Sequence, residues 1–180
     1  MSLILALIGP SGSGKTHLGL MLQKFGYKEI ISYTTRKPRD GEIQDVSYHF
    51  VNEEEFVAIE KVEEIEYSGA HYCTARKDII DSQPYRYIVV TLDGMNAIKS
   101  NCPDIEIFSI FLSCTKEKCI ERMKLRGDSH SNIQSRIANY DISKEFENID
   151  KCDFIFDNNA DDITEEIKRL LNTIQTKSKI

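Results

Sequence analysis

Predominantly apolar stretches at residues 3–8, 85–92, 105–112 and 152–156 punctuate the chain, each too short for a helix of ordinary length. Short runs rich in Leu, Ile, Val and Phe predict buried strands of a parallel sheet. Between them apolar side chains recur every three or four positions, and each such stretch predicts an amphipathic helix. Leu18, Leu22 and Phe25 mark the first helix; a second is short, over residues 95–100, and is closed by Cys102-Pro103. Cys119, Ile120 and Met123 share a face of a third helix, capped by Thr115 and running to Leu125. The polar segment 126–131, which carries Gly127, interrupts the pattern before Ile133, Ile137 and Tyr140 resume it. Ile163, Ile167, Leu170, Leu171 and Ile174 stripe a last helix, whose acidic approach, Asp161 and Asp162, suits its dipole. Strands alternating with helices in this way predict a parallel sheet covered on both faces.

Residues 29–83 depart from that rhythm. A strand is predicted over residues 29–33, then a turn-rich loop with Pro38 and Asp40-Gly41, then a strand over 48–51. An acidic helix over 53–61 turns Phe56 and Ile59 inward, and strand character over 62–73 is broken at Ser68-Gly69. A helix over 76–83 ends at Pro84. Residues 33–75 therefore read as a small mixed lobe inserted into the parallel sheet.

The most specific chemical signal follows the first strand. Gly9-Pro10-Ser11-Gly12-Ser13-Gly14-Lys15-Thr16 has the spacing G-x-x-x-x-G-K-T of a phosphate-binding loop. Glycines let backbone N–H groups converge on phosphate oxygens, Lys15 supplies a cation, and the Thr16 hydroxyl can ligate magnesium. Its setting between a strand and a helix is the context the motif requires.

Bulk properties narrow the reading. At 180 residues the chain suits one domain with small appendages. With 23 basic against 29 acidic residues, and a net charge of -6, a broad nucleic-acid-binding surface is not expected, so any anion site is local. Five cysteines form no C-x-x-C pair and no zinc-like spacing with the four histidines, which points to a reduced, cytoplasmic chain. No stretch approaches the about 18 apolar residues of a membrane helix, and no membrane partner is expected.

Beyond the loop, Ser32-Tyr33-Thr34-Thr35-Arg36-Lys37-Pro38-Arg39, followed by Gly41-Glu42, and the segment Tyr48-His49-Phe50-Val51 resemble the guanylate kinase family. The resemblance runs from about Leu5 to Leu171 and rests on these separated motifs together. It implies a P-loop NTPase-type α/β fold: a parallel sheet flanked by helices (core 1–32, 84–125 and 146–180), a mixed α/β monophosphate-binding lobe (33–83) and a lid (about 126–145). It implies phosphoryl transfer from ATP to GMP or dGMP with Mg2+, by a monomer or homodimer. Gly9 to Thr16 would bind ATP, with Thr16 on the metal. Ser32, Arg36, Arg39, Tyr48 and Tyr72 would hold the GMP phosphate, Glu66 and Thr74 would read the guanine, and Asp93 would also bind GMP. Lys15, Arg36, Arg126 and Arg136 would stabilise the transferring phosphoryl group. Arg122, one turn before Arg126, reads equally well as a surface arginine and is given no role.

Four positions depart from the family pattern. Thr91 stands where an aspartate is usual, leaving Asp93 as the acid at that strand end. The segment between Glu66 and Ser68 is about three residues short, His71-Tyr72-Cys73 replaces Tyr-Tyr-Gly, and Asp157 takes the place of an asparagine, with Asn158 and Asn159 following. Cys73 reads as a wall of the pocket, not as a reactive thiol. A kinase for another acceptor, a non-catalytic binding module of the same fold, and a slowly hydrolysing nucleotide switch remain as alternatives.

Overall fold

The computed structural model describes residues 3–67, 69–81, 83–143 and 145–177. Ser68, half of the predicted strand interruption, lies outside them. Five strands, β1 (Leu3–Ile8), β2 (Lys28–Glu29), β7 (Arg86–Val89), β8 (Glu106–Ser113) and β9 (Phe154–Asp157), form a parallel sheet in the order β2-β7-β1-β8-β9. Four more, β3 (Tyr33–Thr34), β4 (His49–Phe50), β5 (Lys61–Tyr67) and β6 (Ala70–Ala75), form a mixed sheet in the order β4-β3-β6-β5.

Alternate residues of β1 serve opposite faces of the parallel sheet, and both faces are buried. Leu5 and Leu7 pack with Leu18, Leu22, Ile167 and Leu170 beneath α1 (Lys15–Lys24) and α7 (Thr164–Lys177). Ile4, Ala6 and Ile8 pack with Met95 and Ile98 of α4 (Leu92–Asn101) and reach Val62 in β5 and Ile79 in α3 (Arg76–Ile80). Cys119 and Met123 of α5 (Lys116–Leu125) join Ile133 and Tyr140 of α6 (His130–Ser143) in a third cluster, and a 3₁₀ segment (Glu145–Lys151) leads from α6 toward β9.

Several expectations need correction. Residues 29–33 do not make one strand: β2 ends at Glu29 and β3 starts at Tyr33 in the other sheet, because the chain leaves the parallel layer between them. Phe25 is 52% exposed, since α1 stops at Lys24 and the chain turns through Gly26 at φ 88°. The acidic helix is the shorter α2 (Glu53–Ala58), closed into a capping box by Asn52 and Glu55, and Ile59 lies beyond it. α3 likewise stops at Ile80. The helix predicted over 95–100 starts earlier: Thr91 accepts a hydrogen bond from Gly94 N (3.1 Å), so α4 begins at Leu92 and Asp93 sits in its first turn. Of the two acids before α7, Asp162 accepts from Thr164 N (2.9 Å) at the helix start, whose first turn adds Glu165 and Glu166, whereas Asp161 pairs with Lys118 (2.9 Å).

One packing contact tests this core. A Cβ on Gly19 would lie 2.8 Å from the Tyr87 ring, which cannot yield easily because its hydroxyl donates to Glu29 Oε2 and accepts from Gln23 Nε2, both at 2.8 Å. Gly→Ala inside a helix ordinarily stabilises by about 1 kcal/mol. Gly19→Ala is expected to destabilise by about 1–3 kcal/mol through overpacking; a raised urea midpoint would refute this.

Candidate functional site

The carboxyl ends of β1, β7, β8 and β9 open on one edge of the parallel sheet, where ligands of such sheets bind. The loop after β1 needs its glycines for two reasons. Gly9, Gly12 and Gly14 have φ of 146°, 85° and 99°, a region that side chains disfavour. A side chain at Gly12 would also meet the Cys119 carbonyl oxygen at 2.5 Å, and one at Gly14 would collide with Asn158 Nδ2. Lys15 Nζ folds over the loop and donates to the carbonyls of Gly9 (2.6 Å) and Pro10 (2.9 Å). Pro10 O also accepts from Ser13 N (3.1 Å). Thr16 lies exposed in the first turn of α1.

A basic cavity lies between the mixed sheet and α6. A cavity of about 390 Å³ is lined by Arg36, Arg39, Tyr67, Tyr72, Asn132, Ser135 and Arg136. Arg36 is nearly saturated by donation: Nε to Tyr72 OH (3.1 Å), Nη1 to Lys37 O (2.8 Å), and both Nη groups to the Glu42 carboxylate at 2.8 and 3.0 Å. Its guanidinium lies 5.2 Å from the Tyr48 ring centre. Burial raises the Glu42 pKa, but hydrogen bonds from Arg36 and the Arg39 N–H (2.7 Å) outweigh it and hold the carboxyl below its usual range. Arg39 makes no side-chain hydrogen bond among the described residues; burial, with Arg36 and Arg136 nearby, lowers its pKa. Cations short of counter-charge favour an anion at this place. Ser32 adjoins through the main chain, its carbonyl accepting from His49 N (3.0 Å).

The strand register of β5 and β6 separates two carboxylates. Glu63 pairs with Thr74, Ile65 with Tyr72 and Glu66 with His71. Tyr67 and Tyr72 line the cavity, so Glu63, Ile65, Tyr67, Tyr72 and Thr74 share that face, while Glu64, Glu66 and His71 point to the other. Glu66 is exposed, and the structure does not bring it to Thr74. Glu63 is 7% exposed and accepts from Thr74 Oγ1 at 2.7 Å. An irregularity between Lys61 and Glu63 shifts the alternation, so Val62 and Glu63 are both buried. Burial raises the Glu63 pKa, partly offset by the Thr74 hydrogen bond. A Cβ at Gly94 would lie 3.1 Å from Glu63 Oε2, so the amino end of α4, with Asp93, abuts this carboxyl. Cys73 is fully buried, which pushes its thiol up to about 12 and leaves it unreactive.

Arg136 joins the loop to the cavity. It lines the cavity with Arg36 and Arg39, and its Nη1 donates to Ser11 Oγ of the loop. Tyr140 OH, one turn along α6, donates to Ser11 O. Arg126 does not line the cavity: its Nε and Nη2 engage Asp128 at 2.8 and 2.6 Å, and Arg136 Nε lies 3.8 Å from the same carboxylate. Arg122, unassigned from sequence, is half-buried and donates to Ser13 O of the loop (3.2 Å).

The model of the family described as guanylate kinase matches residues 1–176. The chain belongs to the guanylate kinase family. It is 34% identical to the guanylate kinase of Wolinella succinogenes over 94% of this chain and 81% of that protein, and 34% identical to that of Helicobacter pylori over 91% and 83%. The Prochlorococcus marinus guanylate kinase is 33% identical over 96% of this chain and 97% of its own. The crystal structure of guanylate kinase from Anaplasma phagocytophilum superposes with a TM-score of 0.68 at 22% identity, covering 98% of this chain and 85% of that one, a likeness of fold. Among the described residues no helix is long and apolar enough to cross a membrane, and no group of three His, Cys, Asp or Glu side chains could hold a metal ion.

In this member of the guanylate kinase family the buried Glu63 has a measurable cost. A carboxyl whose folded pKa is raised above 4.5 binds its proton more tightly in the folded state, so its contribution to stability falls as pH rises from about 4.5 through the folded value. Glu63→Gln removes that slope. Urea unfolding across pH 4–8 should show the variant gaining on the wild type as pH rises; a pH-independent difference would sink this account.

Proposed function

We propose that this chain transfers the γ-phosphoryl group of ATP to GMP, or dGMP, giving ADP and GDP. The observation that carries the reading is Arg136, which touches the phosphate loop at Ser11 and lines the Arg36–Arg39 cavity, so one side chain adjoins both anion sites. Transfer requires the donor's outer phosphate and the acceptor's phosphate to lie side by side in a shell of fixed positive charge.

The acceptor phosphate is assigned to Arg39 and Arg136, with the hydroxyls of Tyr72, Tyr48 and Ser32 as further donors. Arg36 keeps one N–H free of the bonds to Tyr72, Lys37 and Glu42 and contributes the remainder. The base-reading role implied for Glu66 moves to Glu63. Its carboxylate, beside Thr74, would accept from the guanine N1–H and exocyclic amine while Thr74 turns its hydroxyl to O6, and Asp93 stands one residue from the α4 backbone that abuts Glu63. The apparent shortening by three residues supports this, because Glu63 lies three positions before Glu66 and restores the usual spacing to Ser68-Gly69. Adenine presents the opposite donor and acceptor pattern, and a buried carboxylate left unpaired rejects it strongly.

Gly9 to Thr16 holds the donor phosphates, and Lys15 exchanges its loop carbonyls for phosphate oxygens. Arg126 joins Arg136 on the transferring group once it leaves Asp128. The exposed Thr16 hydroxyl fits magnesium, which takes few protein ligands and completes its shell with phosphates and water. When bound, the ion supplies charge neutralisation at the phosphate oxygens. Tyr67 and the lid over the cavity exclude water that would otherwise accept the phosphoryl group. The cysteines, free and mostly buried, suit the cytoplasm.

A coupled assay of ADP formation with GMP, dGMP and AMP tests the whole reading. GMP is expected to exceed AMP by about a hundredfold or more in kcat/KM; equal turnover would remove the guanine assignment. Glu63→Gln should cost GMP about a hundredfold while leaving the ATP KM within about twofold, and Glu66→Gln should resemble wild type. The reverse pattern would return the role to Glu66. Lys15→Met is expected to lower kcat at least about a hundredfold with the fold intact, and a variant that keeps its activity would remove the donor assignment.

A further inference from the structure

Behind the phosphate loop, on the side away from the cavity, lies a group of side chains that the reaction itself does not use. Asn158 follows β9, is 3% exposed, and is tied to the end of β8 by its N–H to Ser113 O (2.9 Å). Its Nδ2 donates to Ser13 O at 2.6 Å. Arg122 of α5 adds a second donor to the same carbonyl through Nη1 (3.2 Å), and its Nη2 donates to Asn158 O (2.9 Å). One carbonyl of the loop is thus held by two side chains, one buried and one half-buried, and the second of them also holds the main chain of the first.

We propose that Asn158, braced by Arg122, is a positioning residue that sets the Ser13–Gly14 peptide plane and thereby aims the Gly14 N–H at the phosphates of the donor nucleotide. The geometry follows from the peptide bond. In a trans peptide the C=O and the following N–H point in opposite directions, so tying Ser13 O back into the protein turns Gly14 N–H outward. That N–H donates to no group among the described residues. The pairing is sterically matched as well: Gly14 has φ 99°, and any side chain there would collide with Asn158 Nδ2. Without the two donors the peptide would lose the bonds that fix its plane, and an amide that must reorient on binding contributes less than one already aligned.

This inference rests on the assignment of the loop to the donor nucleotide, and its test separates the two. Magnesium-ATP is titrated calorimetrically, with no acceptor present, into wild type, Asn158→Leu, Asn158→Asp, Arg122→Met and Arg122→Lys, and GMP is titrated into each separately. Asn158→Leu, close in size and without a donor, is expected to weaken ATP about tenfold to a hundredfold and to leave GMP within about twofold. Asn158→Asp sets an acceptor against Ser13 O and should lose more. Arg122→Lys, which keeps one donor, should retain more ATP affinity than Arg122→Met, and the arginine pair carries the same comparison if Asn158→Leu does not fold. Unchanged ATP affinity in Asn158→Leu, or equal losses of ATP and GMP, would overturn the proposal. Wild type that binds ATP but fails to phosphorylate GMP would instead remove the functional reading and leave this one standing.

Discussion

Everything at this site depends on the direction in which a handful of backbone carbonyls point. A loop that cradles phosphate must present N–H groups to one side, so its carbonyls must be satisfied on the other. Here side chains hold four of them: Lys15 takes Gly9 and Pro10, Tyr140 takes Ser11, and Asn158 with Arg122 takes Ser13. Those partners come from α1, α6, α5 and the end of β9, so the sheet order that brings β8 and β9 beside β1 is a condition for the loop's shape. The fold does more than carry the loop. It orients it.

Electrostatics impose the complementary condition. A chain of net charge -6 concentrates Arg36, Arg39 and Arg136 around one cavity, and their mutual repulsion must be held in check when no phosphate is there. Two carboxylates do this in different ways. Glu42 grips Arg36 with both oxygens and takes only the main-chain N–H of Arg39, whose side chain makes no hydrogen bond among the described residues. Asp128 engages Arg126 and lies near Arg136, and the arginines together, Arg126 foremost, hold its carboxyl below the usual range. Glu42 braces one arginine permanently, whereas Asp128 occupies arginines that transfer would require elsewhere.

The parallel core was legible because its signals are local: buried strands announce themselves by composition, and Gly9 to Thr16 combines a spacing with a strand-helix context. The mixed sheet was legible only as a lobe. β2 and β3 look like one run from Glu29 to Tyr33 because hydropathy cannot register that the chain changes sheets between them. Glu63 was hidden for a related reason. Among Glu60, Glu63, Glu64 and Glu66, only the pairing register and the irregularity at Lys61/Glu63 decide which acid faces Thr74. Arg122 and Asn158 carried no signal at all, since an arginine on a helix and an asparagine after a strand acquire meaning only when the sheet brings them to Ser13. The three-residue discrepancy after Glu66 was the one trace available in the sequence, and it pointed at Glu63.

Glu63 also shows why such a residue resists recognition from sequence. Burying a carboxylate beside one hydroxyl is unfavourable, and here burial raises its pKa. Thr74 supplies one hydrogen bond and the amino end of α4 a favourable dipole, which reduces the penalty without removing it. A fold optimised for stability alone would place glutamine or an apolar residue there. The acid is accounted for if a ligand with two adjacent donors completes its hydrogen bonding, so the strain of the free protein becomes selectivity in the complex. Thr91, where an acid is usual, caps α4 without adding a charge, so Asp93 in its first turn and Glu63 against it are the carboxylates that share the dipole of that helix end.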